Sequence, residues 1–210
     1  MVRLPHRLSL SLFATGALLA GCSHKLDESR VRAFVDAADE AFLKGNSTHI
    51  CAMRTEDFRL EATSFELAKG QVMDSLADAE SYDAERPATG SRLEGKTDVL
   101  NLQQFCLMSI ANREFFRRAS LERGELHIEL APDGRSATVR AHYIVKEPEI
   151  ERGDSVLHDR DSVEHQLATR QTESDDESVV VIGPDGDPLF RSTRSTSKSF
   201  LTHKERDRRL

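Results

Sequence analysis

GELHIELAPDGRSATVRAHYIVK, Gly124 to Lys146, is the stretch on which the fold turns. Leu126, Ile128 and Leu130 alternate with His127 and Glu129. Further on, Ala137, Val139, Ala141, Tyr143 and Val145 hold one parity. A period of two is the mark of a strand with one buried face. PDGR lies between the two runs, and it is a turn with a mechanism: Pro presets one dihedral and Gly takes the positive one. The stretch therefore reads as strand, tight turn, antiparallel strand. The order recurs in SVVVIGPDGDPLFRST, Ser178 to Thr193, although the chain shows no internal repeat. A further strand is expected over 162–172, after the charged loop EIERGDSVLHDRD. ESDDES, Glu173 to Ser178, reads as a solvated acidic turn, without the regular ligand spacing of a calcium loop.

Towards the N-terminus the period changes to that of a helix. In SRVRAFVDAADEAFLKGN, Ser29 to Asn46, the residues Val31, Phe34, Val35, Ala38 and Phe42 fall on one face. Glu28, Asp36, Asp39 and Glu40 mark the wet side, and Gly45-Asn46 ends the helix. A short helix with Ile50, Cys51 and Met53 covers 48–54, and Phe58, Leu60 and Ala62 then alternate as a strand. ELAKGQVMDSLADAESY, Glu66 to Tyr82, is expected to be a helix with Leu67, Met73 and Leu76 inside. Glu85 to Gly95 is a loop. A longer helix is expected from Asp98, its cap, to about Ala119, with Leu102, Phe105, Cys106, Ser109, Ile110 and Phe116 inward. Helices first and strands second argue for an α+β fold, with N-terminal helices packed on one face of a curved antiparallel sheet.

Ahead of this domain, MVRLPHR carries Arg3 and Arg7 and no acid, and an apolar run follows from Leu8 to Leu19. That is the make-up of a signal peptide and is short for a membrane-spanning helix. The run ends in Leu19-Ala20-Gly21-Cys22, which resembles the lipobox of bacterial lipoproteins. The resemblance implies that residues 1–21 are removed and that Cys22 is acylated. Membrane lipid, reached through that acylated terminus, is then a partner. One acyl chain binds only marginally, whereas the several expected of a bacterial lipoprotein hold permanently. Ser23, where Asp would imply inner-membrane retention, points to the outer membrane facing the periplasm. The expected organisation is signal peptide 1–21, tether 22–28, folded domain 29–202 and basic tail 203–210.

The chain carries 29 Lys and Arg against 36 Asp and Glu, a net charge of −7. Losing Arg3 and Arg7 with the leader takes that to −9. This is the wrong sign for a nucleic-acid binder, and only the HKERDRRL tail is locally basic. There is no Trp and there are two Tyr, so the core rests on Phe, Leu, Val and Ala. With Cys22 lipidated, Cys51 and Cys106 remain as an even pair in an oxidising compartment, where a disulfide is expected. Two separate buried thiols are the alternative. Neither belongs to a C-x-x-C pair, so no zinc site is expected.

The amphipathic helix ending in FLKGN, the short helix leading into TEDF, and the late strands with a DG hairpin resemble the nuclear transport factor 2-like superfamily. The resemblance spans Ser29 to Leu201 and implies a cone, a curved sheet wrapped around helices. The segment from Phe65 to Gly95 is long for that family, and the last strand has Leu189-Phe190 in place of the usual aromatic after the turn. The family includes isomerases, dehydratases, polyketide cyclases and non-enzymatic binders. Its enzymes are expected to place an acid and a Tyr or His inside the cone.

Fold alone does not license an activity, so the residues must carry it. Asp57 stands where a general base would, though TED also reads as a surface cap. His142 and Tyr143 are adjacent on a strand and must point to opposite faces, Tyr143 inward and His142 outward. His127-Ile128-Glu129 has the first half of a deaminase motif without its second. His158, Asp159, Asp161 and His165 are the densest potential metal ligands, and read better as a polar loop. Arg191 and Arg194 sit among hydroxyls in a last strand polar on both faces, which reads as a solvated edge or as the lining of a wet concave surface. No catalytic set, cofactor or metal is assigned. The sequence leads to a membrane-anchored periplasmic lipoprotein that binds a small ligand or an envelope protein. The alternative is a proton-transfer enzyme of the polyketide cyclase or ketosteroid isomerase type.

Overall fold

The computed structural model describes residues 25–69, 71–85, 95–148 and 168–203. Cys22, the leader, the His158–His165 group and the tail beyond His203 lie outside the described residues.

Helix α1, Glu28–Leu43, starts at Asp27, whose side chain accepts from the Arg30 N–H at 2.8 Å. Val31 and Val35 on its inner stripe are buried, Val31 completely. Helix α2, Ser47–Ala52, follows after Gly45-Asn46, as the sequence indicates. Strand β1, Arg54–Glu66, contains the alternating Phe58, Leu60 and Ala62. The next segment is mostly not helical. It holds the short strand β2, Val72–Met73, and only from Leu76 does helix α3 run, to Glu85, opened by Ser75, whose Oγ accepts from the Asp78 N–H.

The helix expected from Asp98 starts later. Asp98 lies within strand β3, Lys96–Asn101, opposite Ala62. The true cap is Asn101, in a reciprocal capping box with Gln104, both bonds 3.0 Å. Two satisfied helix donors outweigh a lone acid further upstream. Helix α4, Leu102–Ala111, then gives way at Asn112 to α5, Arg113–Arg118. Ile110, expected inside, faces outward at 54% exposure.

Strands β4 (Ser120–Arg123), β5 (His127–Leu130), β6 (Ser136–Pro148), β7 (Ala168–Ile182) and β8 (Pro188–His203) complete the fold. Both PDG turns form as read, with positive φ at Gly134 (67°) and Gly186 (87°). The acidic run ESDDES is not a turn; it lies within β7. Its outward acids find cations or an imidazole across the strand, Glu177 with Arg140 at 2.7 Å and Asp175 with His142 at 2.9 Å. Cross-strand pairing offsets the low strand preference of Asp, and those partners are distant in sequence.

The sheet order is β3-β1-β8-β7-β6-β4, with β2 on β8 and β5 on β6. The fold is α+β, helices on a curved sheet, as expected. The sheet is mixed rather than antiparallel throughout, because β1 and β2 run parallel to β8. β8 is thus central, between β1 and β7, and not the solvated edge. The main core joins α1, α2 and α4 to the sheet through Val31, Val35, Ile50, Phe58, Phe105, Val139 and Val180. Each large apolar side chain buried there contributes about 1.5–3 kcal/mol. A smaller cluster of Leu67, Ala68, Ala79 and Phe200 seats α3. Cys51 of α2 and Cys106 of α4 stand at disulfide distance, with Cα atoms 5.7 Å apart. No described helix is long and apolar enough to cross a membrane.

Candidate functional site

Alternation on four strands builds the inner face of the sheet in rungs. Val139, Ser178, Thr193 and Leu60 form one rung across β6, β7, β8 and β1. Ala141, Asp176, Ser195 and Ala62 form the next, and Tyr143 and Ser174 begin a third. A bulge opposite Val179 and Val180 skips Arg191, so Phe190 joins Thr193 and Ser195 on the inner side. Between this face and helices α1 and α4 lies a cavity of about 340 Å³. Phe58, Phe105 and Phe190 line it at one end of the rungs, and the hydroxyls and acids line it further along.

Tyr143 points inward, as its parity requires. Its hydroxyl donates to Asp39 Oδ1 at 3.4 Å. The charge of Asp39 argues for the wet side of α1, yet it follows Val35 by four residues and precedes Phe42 by three, which puts it on the inner stripe. Arg123 of β4, register partner of Tyr143, donates to Asp39 and, at 2.6 Å, to Asp36. Burial raises the Asp39 pKa, opposed by the neighbouring Arg123 guanidinium. Asp176 accepts from Ser195 Oγ at 2.6 Å. Burial raises its pKa too, opposed by the Ser195 and Ser174 hydroxyls. Burial, then the charges of Asp39 and Asp176, push the Tyr143 phenol up as well, so it stays protonated at neutral pH.

The other candidates lie elsewhere. Asp57 is exposed and pairs with Arg191 at 3.3 Å, outside the cavity. Arg194 faces outward 3.8 Å from Glu61 and borders an outer pocket shared with Asp175 and Glu177, acidic surroundings that do not suit an anion. His142 faces outward, as expected, against Asp175. Glu129 is held by Arg140 at 3.1 Å. Among the described residues no group of three or more His, Cys, Asp or Glu is placed to hold a metal.

The chemistry of the arrangement is that of an apolar chamber with weakly acidic carboxyls and a neutral phenol. A carboxylate with a raised pKa is a better base, and a protonated phenol is a hydrogen-bond donor. The same groups also recognise a polar atom on a bound ligand.

No family model and no curated protein matches this sequence. Solved structures of similar shape exist. A candidate scytalone dehydratase from Novosphingobium aromaticivorans is 12% identical, with 80% of this chain and 82% of that one covered, at a TM-score of 0.49. A nuclear transport factor 2-like protein with a cystatin-like fold from the same species is 10% identical, 81% and 80% covered, at 0.47. A ketosteroid isomerase-like protein from Erwinia carotovora atroseptica is 10% identical, 82% and 98% covered, at 0.43. Function is therefore read from the cavity's own residues.

Proposed function

We propose that this chain is a lipid-anchored protein of the bacterial envelope whose cone binds a small, largely apolar ligand. The observation that carries the binding is the cavity of about 340 Å³, which Phe58, Phe105 and Phe190 border without filling. Ligand pockets of this kind span about 300–1,000 Å³, mostly apolar with a few convergent polar groups. The anchor rests on Leu19-Ala20-Gly21-Cys22 behind a charged and then apolar leader. Its test is fractionation: Cys22→Ser releases the protein from membranes, and unchanged association refutes it.

Binding is tested by calorimetry on the full-length protein in lipid nanodiscs, with empty nanodiscs as reference and octanamide as a neutral probe. Wild type binds it. Ala141→Phe, which pushes a ring into the second rung, abolishes binding with the fold kept. Equal binding by both would place the ligand elsewhere.

One observation favours a second reading, proton transfer. Asp39, Asp176 and Tyr143 share the cavity, and the pKa of each is raised by burial. Asp176 would take a proton from carbon beside a carbonyl, and Tyr143 would donate to the developing oxyanion. Loss of turnover in Asp176→Asn with ligand affinity retained would establish that reading. Absence of turnover on carbonyl-bearing ligands that bind would end it.

A further inference from the structure

Among the described residues two buried side-chain atoms lack a hydrogen-bond partner, Arg54 Nε and Ser109 Oγ. Both residues line the same cavity. Arg54 opens β1, and its Nη1 donates to the Ile50 carbonyl. Its guanidinium carbon lies 4.0 Å from the ring centre of Phe105, 5.0 Å from Phe58 and 5.5 Å from Phe190. Burial lowers its pKa to about 10, with no acid acting on it, so it is charged at neutral pH. Arg123 and Arg140, by contrast, each hold two carboxylates.

A largely buried cation whose Nε–H is both enclosed and idle is costly, and phenyl faces offset only part of that. An anion that enters the cavity removes the cost. The charge is single and the surroundings are aromatic, which suits one carboxylate, a group the planar guanidinium matches. A dianionic phosphate would need more donors than Arg54 and the Ser109 hydroxyl supply. Arg54 pairs in register with Phe190, and Phe190 with Val180. Asp176 stands four residues along β7, about 13 Å from that level. The cavity thus has a cationic pole and an acidic pole, and between them lie Val139, Leu60 and the mutually bonded hydroxyls of Ser178 and Thr193.

We propose that the Arg54 pole receives the carboxylate of an amphipathic monocarboxylic acid of medium chain length, whose apolar body extends past Phe190 and Val139 towards Asp176. This rests on the cavity being a binding site. The test compares octanoate with octanamide by calorimetry on the full-length protein in nanodiscs, for wild type, Arg54→Met and Arg54→Lys. Wild type binds octanoate at least about tenfold more tightly than octanamide. R54M loses that preference, binding the two ligands with equal affinity, and melts no lower than wild type, because Met is an apolar replacement for an unpaired, largely buried charge. R54K retains part of the preference. Equal affinity for the two ligands in wild type, or a preference that survives in R54M, overturns carboxylate recognition and leaves cavity binding standing. If R54M melts early, the wild-type ratio alone decides. Binding of neither ligand overturns the cavity reading and this one with it.

Discussion

The two poles of the cavity handle buried charge in opposite ways. At the acidic pole every charge has a partner of its own: Asp39 has Arg123 and Tyr143, and Asp176 has Ser195. At the other pole Arg54 has three phenyl rings and one carbonyl. The first pole is complete without a ligand, and the second is not. The fold can hold a fully partnered charge for stability or for catalysis. It has no use of its own for an unpartnered one, which is why Arg54 speaks for a ligand more directly than the acids do.

The largest effect expected on this contrast comes from the cysteines. Cys51 of α2 and Cys106 of α4 stand at disulfide distance between the helices that wall the Arg54 pole, 55 residues apart in the chain. A bridge over such a loop contributes about 4 kcal/mol in the chain-entropy model. Denaturant unfolding of Cys51→Ala/Cys106→Ala therefore shows a loss of about that size, with Arg54-dependent octanoate binding weakened before the acidic pole is disturbed. Intact-mass measurement without reductant shows the two-dalton deficit of a bridge, and two titratable thiols would contradict it.

Next is Asp39→Ala. It removes the half-buried acceptor of Arg123 and Tyr143 and costs about 2 kcal/mol, measured by the same unfolding. A loss no larger than that of an exposed ion pair would mean that the acidic pole is not held together as described.

Asp176→Asn has the opposite sign. The folded-state pKa of Asp176 lies above its unfolded value, so between the two values the native state binds more protons. Stability contributed by this residue is therefore lost as pH rises through that window. D176N keeps an acceptor for Ser195 and removes the buried charge. Thermal unfolding from acid to neutral pH shows a shallower decline, with the melting temperature at pH 7 raised by a few degrees.

Arg140→Ala is the smallest. Its pairs with Glu129 and Glu177 lie on the exposed outer face, and no change in melting temperature is expected.

Much of the framework could be read from local pattern. The parity of Ala137 to Val145 set the inner face of β6, and Tyr143 with it. The two PDG turns were visible for the same local reason. What escaped depended on partners far along the chain. ESDDES is a strand because Arg140 and His142 answer its acids from β6. The polar β8 lies at the centre of the sheet because its inner hydroxyls bond to groups of β7, Thr193 with Ser178 at 2.9 Å and Ser195 with Asp176 at 2.6 Å. The parallel seam with β1 has no local signature. Asp39 is different: its spacing from Val35 and Phe42 sets it on the inner stripe, and only its charge argues for the wet side. Arg54 gave no signal, since its isolation is a property of the folded surroundings.

The central claim, that the cone encloses a binding cavity, is tested most directly by methyl NMR during titration of the wild-type protein in nanodiscs with octanamide. The methyls of Leu60, Val139 and Val145, which line the cavity, shift and saturate together, while those of Val99 and Leu107 on the outside stay put. Shifts confined to the exterior methyls, or none at all, would contradict it.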